Sequence, residues 1–220
     1  MGTFLISRES TMGEKSGMSP FPLFIKICGL TTAEAVHAAA MAGADAIGFV
    51  FAPSTRRVTP VAAARLAEDL RPGILRIAVT QHPDQSLIDE IFATLAPDCL
   101  QTDVEDFDAL TIPAHAARLP VLRANRERPA RLPSRFLFEG PASGAGRVSD
   151  WEEAARLAKR AELVLAGGLN ATNVASAIAR VRPYGIDVST GVEAKPGLKD
   201  PNKIESFVRA ARTAARGESL

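Results

Sequence analysis

From Phe24 onward the chain keeps a strict metre. Short runs rich in apolar and β-branched residues alternate with amphipathic, helix-like stretches. The strand-like runs are 24–28, 46–51, 75–80, 99–102, 120–124, 136–139, 163–166 and 185–189. Helical spacing falls at 33–42, 60–70, 85–96, 151–160, 173–181 and 202–214, with a poor pattern at 107–117. Between the fifth and sixth runs there is no convincing helix, only the Arg- and Pro-rich stretch 126–133. This alternation dictates right-handed βαβ units and a parallel sheet. Eight strands favour closure into a single (βα)8 barrel with a poorly formed or missing helix after strand five. The competing open, doubly wound sheet lacks its usual mark, since no G-x-G-x-x-G follows the first strand.

A chain of 220 residues is long enough for one such barrel, at the small end of the class. Residues 23–220 read as one barrel domain, and residues 1–22 as a disordered extension or misassigned start, with Met12 and Met18 as alternative starts. The 26 basic and 25 acidic residues leave a net charge of +1, so no global field points to nucleic acid or a membrane surface. Arginines gather between Arg118 and Arg135 without interleaved aromatics for base stacking, which reads as a solvated face. No run approaches the roughly 18 apolar residues that span a bilayer. The two cysteines, Cys28 and Cys99, make neither a disulfide framework nor a metal site, and a reducing, cytoplasmic setting is expected.

Chemistry in a parallel α/β protein sits at the C-terminal ends of strands. Cys28 ends strand one, and alternation puts Lys26 beside it on the barrel interior, with Ile25 and Ile27 facing the helices. A buried lysine favours the thiolate; a purely structural cysteine is the alternative. Cys99 opens strand four and reads as structural. Glu139 ends strand six after Phe136-Leu137-Phe138, a position suited to a general acid whose pKa burial would lift from about 4.3. The alternative for Glu139 is a turn residue facing solvent. Asp187, at the end of strand eight, is placed to orient a substrate or to pair with Lys26. Glycine turns at Gly167-Gly168 and Ser189-Thr190-Gly191 fall in the seventh and eighth loops, where barrels commonly hold phosphate, and Gly146 in loop six is a weaker member. Arg56 and Arg57 follow strand two, where an arginine binds a carboxylate bidentately. His82, just past strand three, has no partner at metal-ligand spacing, and no metal is expected.

Together these residues resemble the phosphoribosylanthranilate isomerase family. The matching pieces are Lys26-Ile27-Cys28-Gly29-Leu30-Thr31, the run from Gly43 to Phe51, Ala166-Gly167-Gly168-Leu169, Asp187-Val188-Ser189-Thr190-Gly191-Val192-Glu193 and Pro196-Gly197-Leu198-Lys199-Asp200. The resemblance implies a cofactor-free Amadori rearrangement of N-(5′-phosphoribosyl)anthranilate in tryptophan biosynthesis, by a monomer or homodimer. It implies Cys28 as base, Glu139 as acid, Arg56 (with Arg57 as fallback) near the anthranilate carboxylate, and loops seven and eight for the phosphate. Lys26, Gln101 and Asp187 complete the expected substrate contacts.

Three departures stand out. The family's strand-six acid is normally aspartate, one methylene shorter than Glu139. Strand four ends Gln101-Thr102-Asp103-Val104 in place of Gln-Leu-His-Gly, and Thr80-Gln81-His82 replaces a Phe-Val-Asn-like segment. They leave two rivals in view: an isomerase of a related phosphorylated aminosugar, and a silent phosphate binder.

Overall fold

The computed structural model describes residues 22–124, 126–140 and 149–217. The expected N-terminal extension (save Pro22) and Gly146 lie outside the described residues. Eight parallel strands pair in sequence order and close, β1 to β8, into a barrel. The strands are β1 (Phe24–Cys28), β2 (Ala46–Val50), β3 (Leu75–Val79), β4 (Cys99–Asp103), β5 (Ala117–Arg123), β6 (Arg135–Glu139), β7 (Glu162–Leu165) and β8 (Gly185–Val188). Around them lie α1 (Ala33–Ala42), α2 (Pro60–Leu66), α3 (Gln85–Thr94), α4 (Trp151–Ala158), α5 (Val174–Val181) and α6 (Pro201–Arg216). Among the described residues, no helix is long and apolar enough to cross a membrane.

Local chemistry sets most helix starts. Thr32, Thr59, Asp84, Asp150 and Asp200 cap α1, α2, α3, α4 and α6 through their side-chain oxygens, and Pro60 and Pro201 stand in first helical turns. Strand alternation then builds two apolar layers. Ile25, Ile27, Ile47, Phe49, Phe136, Phe138, Ile186 and Val188 pack outward with the helices. Ala46, Ile77, Cys99, Leu119, Val121, Leu137, Val164 and Ala166 fill the interior, as in barrels whose centre is a packed core and not a pore.

Two regions depart from the sequence reading. The poor helix at 107–117 is not helical; a 3-10 turn spans Val104–Asp108, and β5 starts at Ala117 instead of 120. The earlier start gives the beginning of β4 its partners, with Cys99 opposite Ala117 and Leu100 opposite Arg118. The second is an antiparallel pair, β9 (Glu193–Lys195) and β10 (Leu198–Lys199), between β8 and α6. At its tip Gly197 adopts φ +83°, and a Cβ there would meet the Thr55 carbonyl oxygen at 2.6 Å. Only glycine lets this hairpin rest on the loop after β2. That contact brings Glu193 and Lys199 to the mouth of the barrel.

Candidate active site

The site forms where charged side chains replace the apolar interior at the C-terminal ends of the strands. Lys26 is fully buried, and its ammonium donates to Asp187 Oδ1 across the β1–β8 seam at 2.7 Å. Burial opposes its charge, but Asp187 and then Cys28 outweigh burial and hold the amine well above the ordinary lysine range. Of the two roles open to Asp187, pairing with Lys26 is the one present. Cys28 lies one step further along the same face. Burial pushes its thiol up; Lys26 pulls it down, Asp187 pushes it up, and Lys199 contributes a further downward pull. Gly48 on β2 makes the space: a Cβ there would stand 3.0 Å from Cys28 Sγ and 3.1 Å from Lys26 Nζ.

A cleft above this pair is lined by Cys28, Arg56, Gln101, Arg123, Glu139, Gly167, Gly168, Asp187, Ser189 and Thr190, among others. The expected residues therefore converge from strands one, two, four, six, seven and eight. Gln101 presents a buried amide oxygen with no hydrogen-bond partner. Gly167 and Gly168 both hold positive φ, +94° and +63°, which turns the loop after β7 toward the cleft. Gly191 is not a lining residue. Its missing side chain lets loop eight lie against the Leu169 carbonyl of loop seven, where a Cβ would collide.

Arg56, not Arg57, enters the cleft; Arg57 is exposed. Arg56 is already engaged, with Nε 2.6 Å from Glu193 Oε1 and Nη2 3.0 Å from Oε2. Lys199 Nζ, buried, donates to Glu193 Oε1 at 2.9 Å and to Ser189 Oγ at 3.1 Å. Burial works against the Glu193 charge, yet Arg56 and Lys199 hold its carboxyl below the usual range. Lys199 itself is pushed down by burial, against the pull of Glu193. Gly29, at φ +76°, lets the Arg56 stem pass over the end of β1, since a Cβ would stand 2.6 Å from Arg56 Cδ.

Glu139 does line the cleft, so the solvent-facing alternative falls, but its surroundings differ from expectation. Phe136 and Phe138 point outward to the helix layer, leaving Leu137 as the apolar neighbour on its own face. The Glu139 carboxylate instead receives a hydrogen bond from Arg123 Nη1, and Arg123 Nη2 donates to Asp103 Oδ1 at 2.5 Å. The environment is an ion-paired one and not an apolar pocket.

Arg123, Asp103, Glu193, Lys199 and Gly48 are the residues that strand reading did not single out. One signal was present: Arg123 closes β5 in the same phase as Glu139 closes β6, and the two are paired in register. Cys99, by contrast, sits in the interior apolar layer as expected, with burial pushing its thiol up to about 12.

Residues 25–210 match the family model described as N-(5′-phosphoribosyl)anthranilate (PRA) isomerase. An N-(5′-phosphoribosyl)anthranilate isomerase from Mesorhizobium japonicum is 39% identical over 211 residues, covering 87% of this chain and 96% of its own. The enzyme of that name from Desulforudis audaxviator is 40% identical over 202 residues, covering 86% and 98%. Among solved structures, a phosphoribosyl anthranilate isomerase in complex with reduced 1-(o-carboxyphenylamino)-1-deoxyribulose 5-phosphate superposes with a TM-score of 0.73 at 31% identity, covering 86% of this chain and 98% of that one. With the match running through all eight strands, this chain belongs to the N-(5′-phosphoribosyl)anthranilate isomerase family.

Proposed function

We propose that this chain isomerises N-(5′-phosphoribosyl)anthranilate to 1-(2-carboxyphenylamino)-1-deoxyribulose 5-phosphate, the step its family contributes to tryptophan biosynthesis, with Cys28 as base and Glu139 as acid. The observation that carries this reading is that the Cys28 thiol and the Glu139 carboxyl line the same cleft as the two small-residue turns of loops seven and eight. The reaction is an internal redox exchange, so it needs no external oxidant and no resident cofactor.

Glu139, ion-paired with Arg123 as a carboxylate, must first take up a proton; it gives that proton to the furanose ring oxygen while the anilino nitrogen donates its lone pair, and the ring opens to a protonated Schiff base. The Cys28 thiolate removes the C2′ proton, and the electron pair forms the enolamine. Ketonisation at C2′ with protonation at C1′ completes the aminoketose, and no atom is gained or lost. Before acting as base the thiol must lose its own proton, and Lys26, held charged by Asp187, is the group placed to favour that loss.

The remaining roles follow position. Main-chain N–H groups around Gly167, Gly168 and Ser189 receive the phosphate, with Lys199 beside Ser189 adding positive charge. Arg56 receives the anthranilate carboxylate on the guanidinium edge that Glu193 leaves open, since Glu193 takes only Nε and Nη2. Gln101 offers its buried amide to the sugar hydroxyls.

The test is a fluorescence-decay assay on freshly generated phosphoribosylanthranilate, with the aminoketose product confirmed by mass and retention time. Fast decay that Cys28→Ala and Glu139→Gln each abolish is the expected result. Phosphate-ligand binding without turnover by the unaltered protein would overturn the assignment.

A further inference from the structure

Three parts of the chain converge on Arg56. Its neighbour Thr55 lies under the tip of the β9–β10 hairpin, where a Cβ at position 197 would strike the Thr55 carbonyl oxygen. Its stem crosses the end of β1 in the space that a side chain on Gly29 would fill. Its guanidinium meets the Glu193 carboxylate twice, Nε to Oε1 at 2.6 Å and Nη2 to Oε2 at 3.0 Å. Two parallel bonds fix the plane of a guanidinium as well as its distance, which one bond does not. Among the described residues Nη1 makes no hydrogen bond, so the Nη1–Nη2 edge is the one left for a ligand.

Glu193 is itself held in place. It is 9% exposed, and Lys199 Nζ donates to its Oε1 at 2.9 Å and to the Ser189 carbonyl oxygen at 3.0 Å. Lys203 Nζ donates to the Glu193 main-chain carbonyl at 2.7 Å, and Thr31 Oγ1 to that of Gly197 at 2.9 Å. Lys199 thus sets the Arg56 edge and the loop after β8 in one frame. The charge on Glu193 does not serve affinity, because an anion beside an arginine weakens its attraction for a second anion. What Glu193 supplies is direction.

Presupposing the reaction proposed above, we infer that Glu193 is a positioning residue that sets which ring carboxylate the cleft accepts. It acts through Arg56, holding the open guanidinium edge at a fixed place relative to the phosphate-binding loops. A carboxylate ortho to the amine meets that edge. Moving the carboxylate one ring position takes it out of line with both N–H groups, and a bidentate contact tolerates such displacement poorly. An arginine released from Glu193 swings after the carboxylate and reads its position less strictly.

The probes are two stable amines, made by reductive amination of ribose 5-phosphate with 2-aminobenzoate or 3-aminobenzoate. Calorimetry on the full chain gives the ratio of their affinities, and circular dichroism checks the fold of each variant. The unaltered protein should prefer the ortho amine. Glu193→Gln should cut that preference about tenfold, the worth of one charge-assisted hydrogen bond. In an Arg56→Lys background the same substitution should change the ratio no further, because its effect passes through the arginine. Gly197→Ala, outside the cleft lining, drives the hairpin tip off Thr55 and should lower the preference in the same direction. A merely structural Glu193 would weaken both amines equally, so an unaltered ratio in Glu193→Gln overturns the inference. An equal further loss in the Arg56→Lys background does the same. Failure of the unaltered protein to bind either amine would instead overturn the functional reading beneath it.

Discussion

The two cysteines of this barrel are equally hidden, each 6% exposed, and both thiols are pushed up by burial. They differ in which end of a strand they occupy. Cys99 begins β4, deep in the interior apolar layer. Cys28 ends β1 in the cleft, beside Lys26 and within reach of the Lys199 field. Burial alone therefore says little about a thiol. Fixed cations and access to the cleft turn the same side chain from filler into a candidate base.

The same substitution at the two positions tests that contrast most directly. Cys28→Ser should lower turnover by about a hundredfold or more while substrate affinity stays nearly constant, because a hydroxyl in the same cleft does not ionise. Equal, small losses at both positions would erase the distinction.

Removing the cation sharpens it. Without Lys26 the Cys28 thiol loses its largest downward pull, so in Lys26→Met the rise of kcat/KM with pH should move to higher pH. This variant also leaves Asp187 buried without its partner, at a cost of about 3–5 kcal/mol in chemical denaturation. The double variant Lys26→Met/Asp187→Leu should recover that stability without recovering activity. An unmoved pH limb would show that Lys26 supports the fold alone.

Glu139→Asp probes the acid against its new neighbour. Shortening the side chain withdraws the carboxyl from Arg123 by about a bond length, and a loss of roughly ten- to a hundredfold in kcat is expected. A gain would mean that the longer side chain is a poor fit. The smallest effect belongs to Cys99→Ser. Turnover should be unaltered, and the loss should be limited to about 1–3 kcal/mol of stability from a hydroxyl placed among apolar groups.

Strand one shows how far reading from residues carries. Alternation alone put Lys26 and Cys28 inside and Ile25 and Ile27 outside, and the structure has them so. Where the reading fell short, the missing information was long-range. The acid was expected among aromatics because Phe136 and Phe138 adjoin it in sequence, yet the same alternation turns them away and brings Arg123 from the next strand. Arg56 was read as an open carboxylate binder, while Glu193 reaches it from 137 positions away. His82 had no ligand-spaced partner along the chain; its neighbours Asp103 and Asp106 come from the next βα unit.

By itself, then, the order of residues determined the barrel, the strand ends that line the cleft, and the family's motifs, because periodicity acts over a few residues. Only the closed tertiary structure decided which charges meet. Strand register and loop contacts pair Lys26 with Asp187, Arg56 with Glu193, and Arg123 with both Glu139 and Asp103. Against the cost of burial, Asp187 keeps Lys26 charged, and Arg56 with Lys199 keeps Glu193 ionised, since the strength of a buried charge depends on the partner that folding brings beside it.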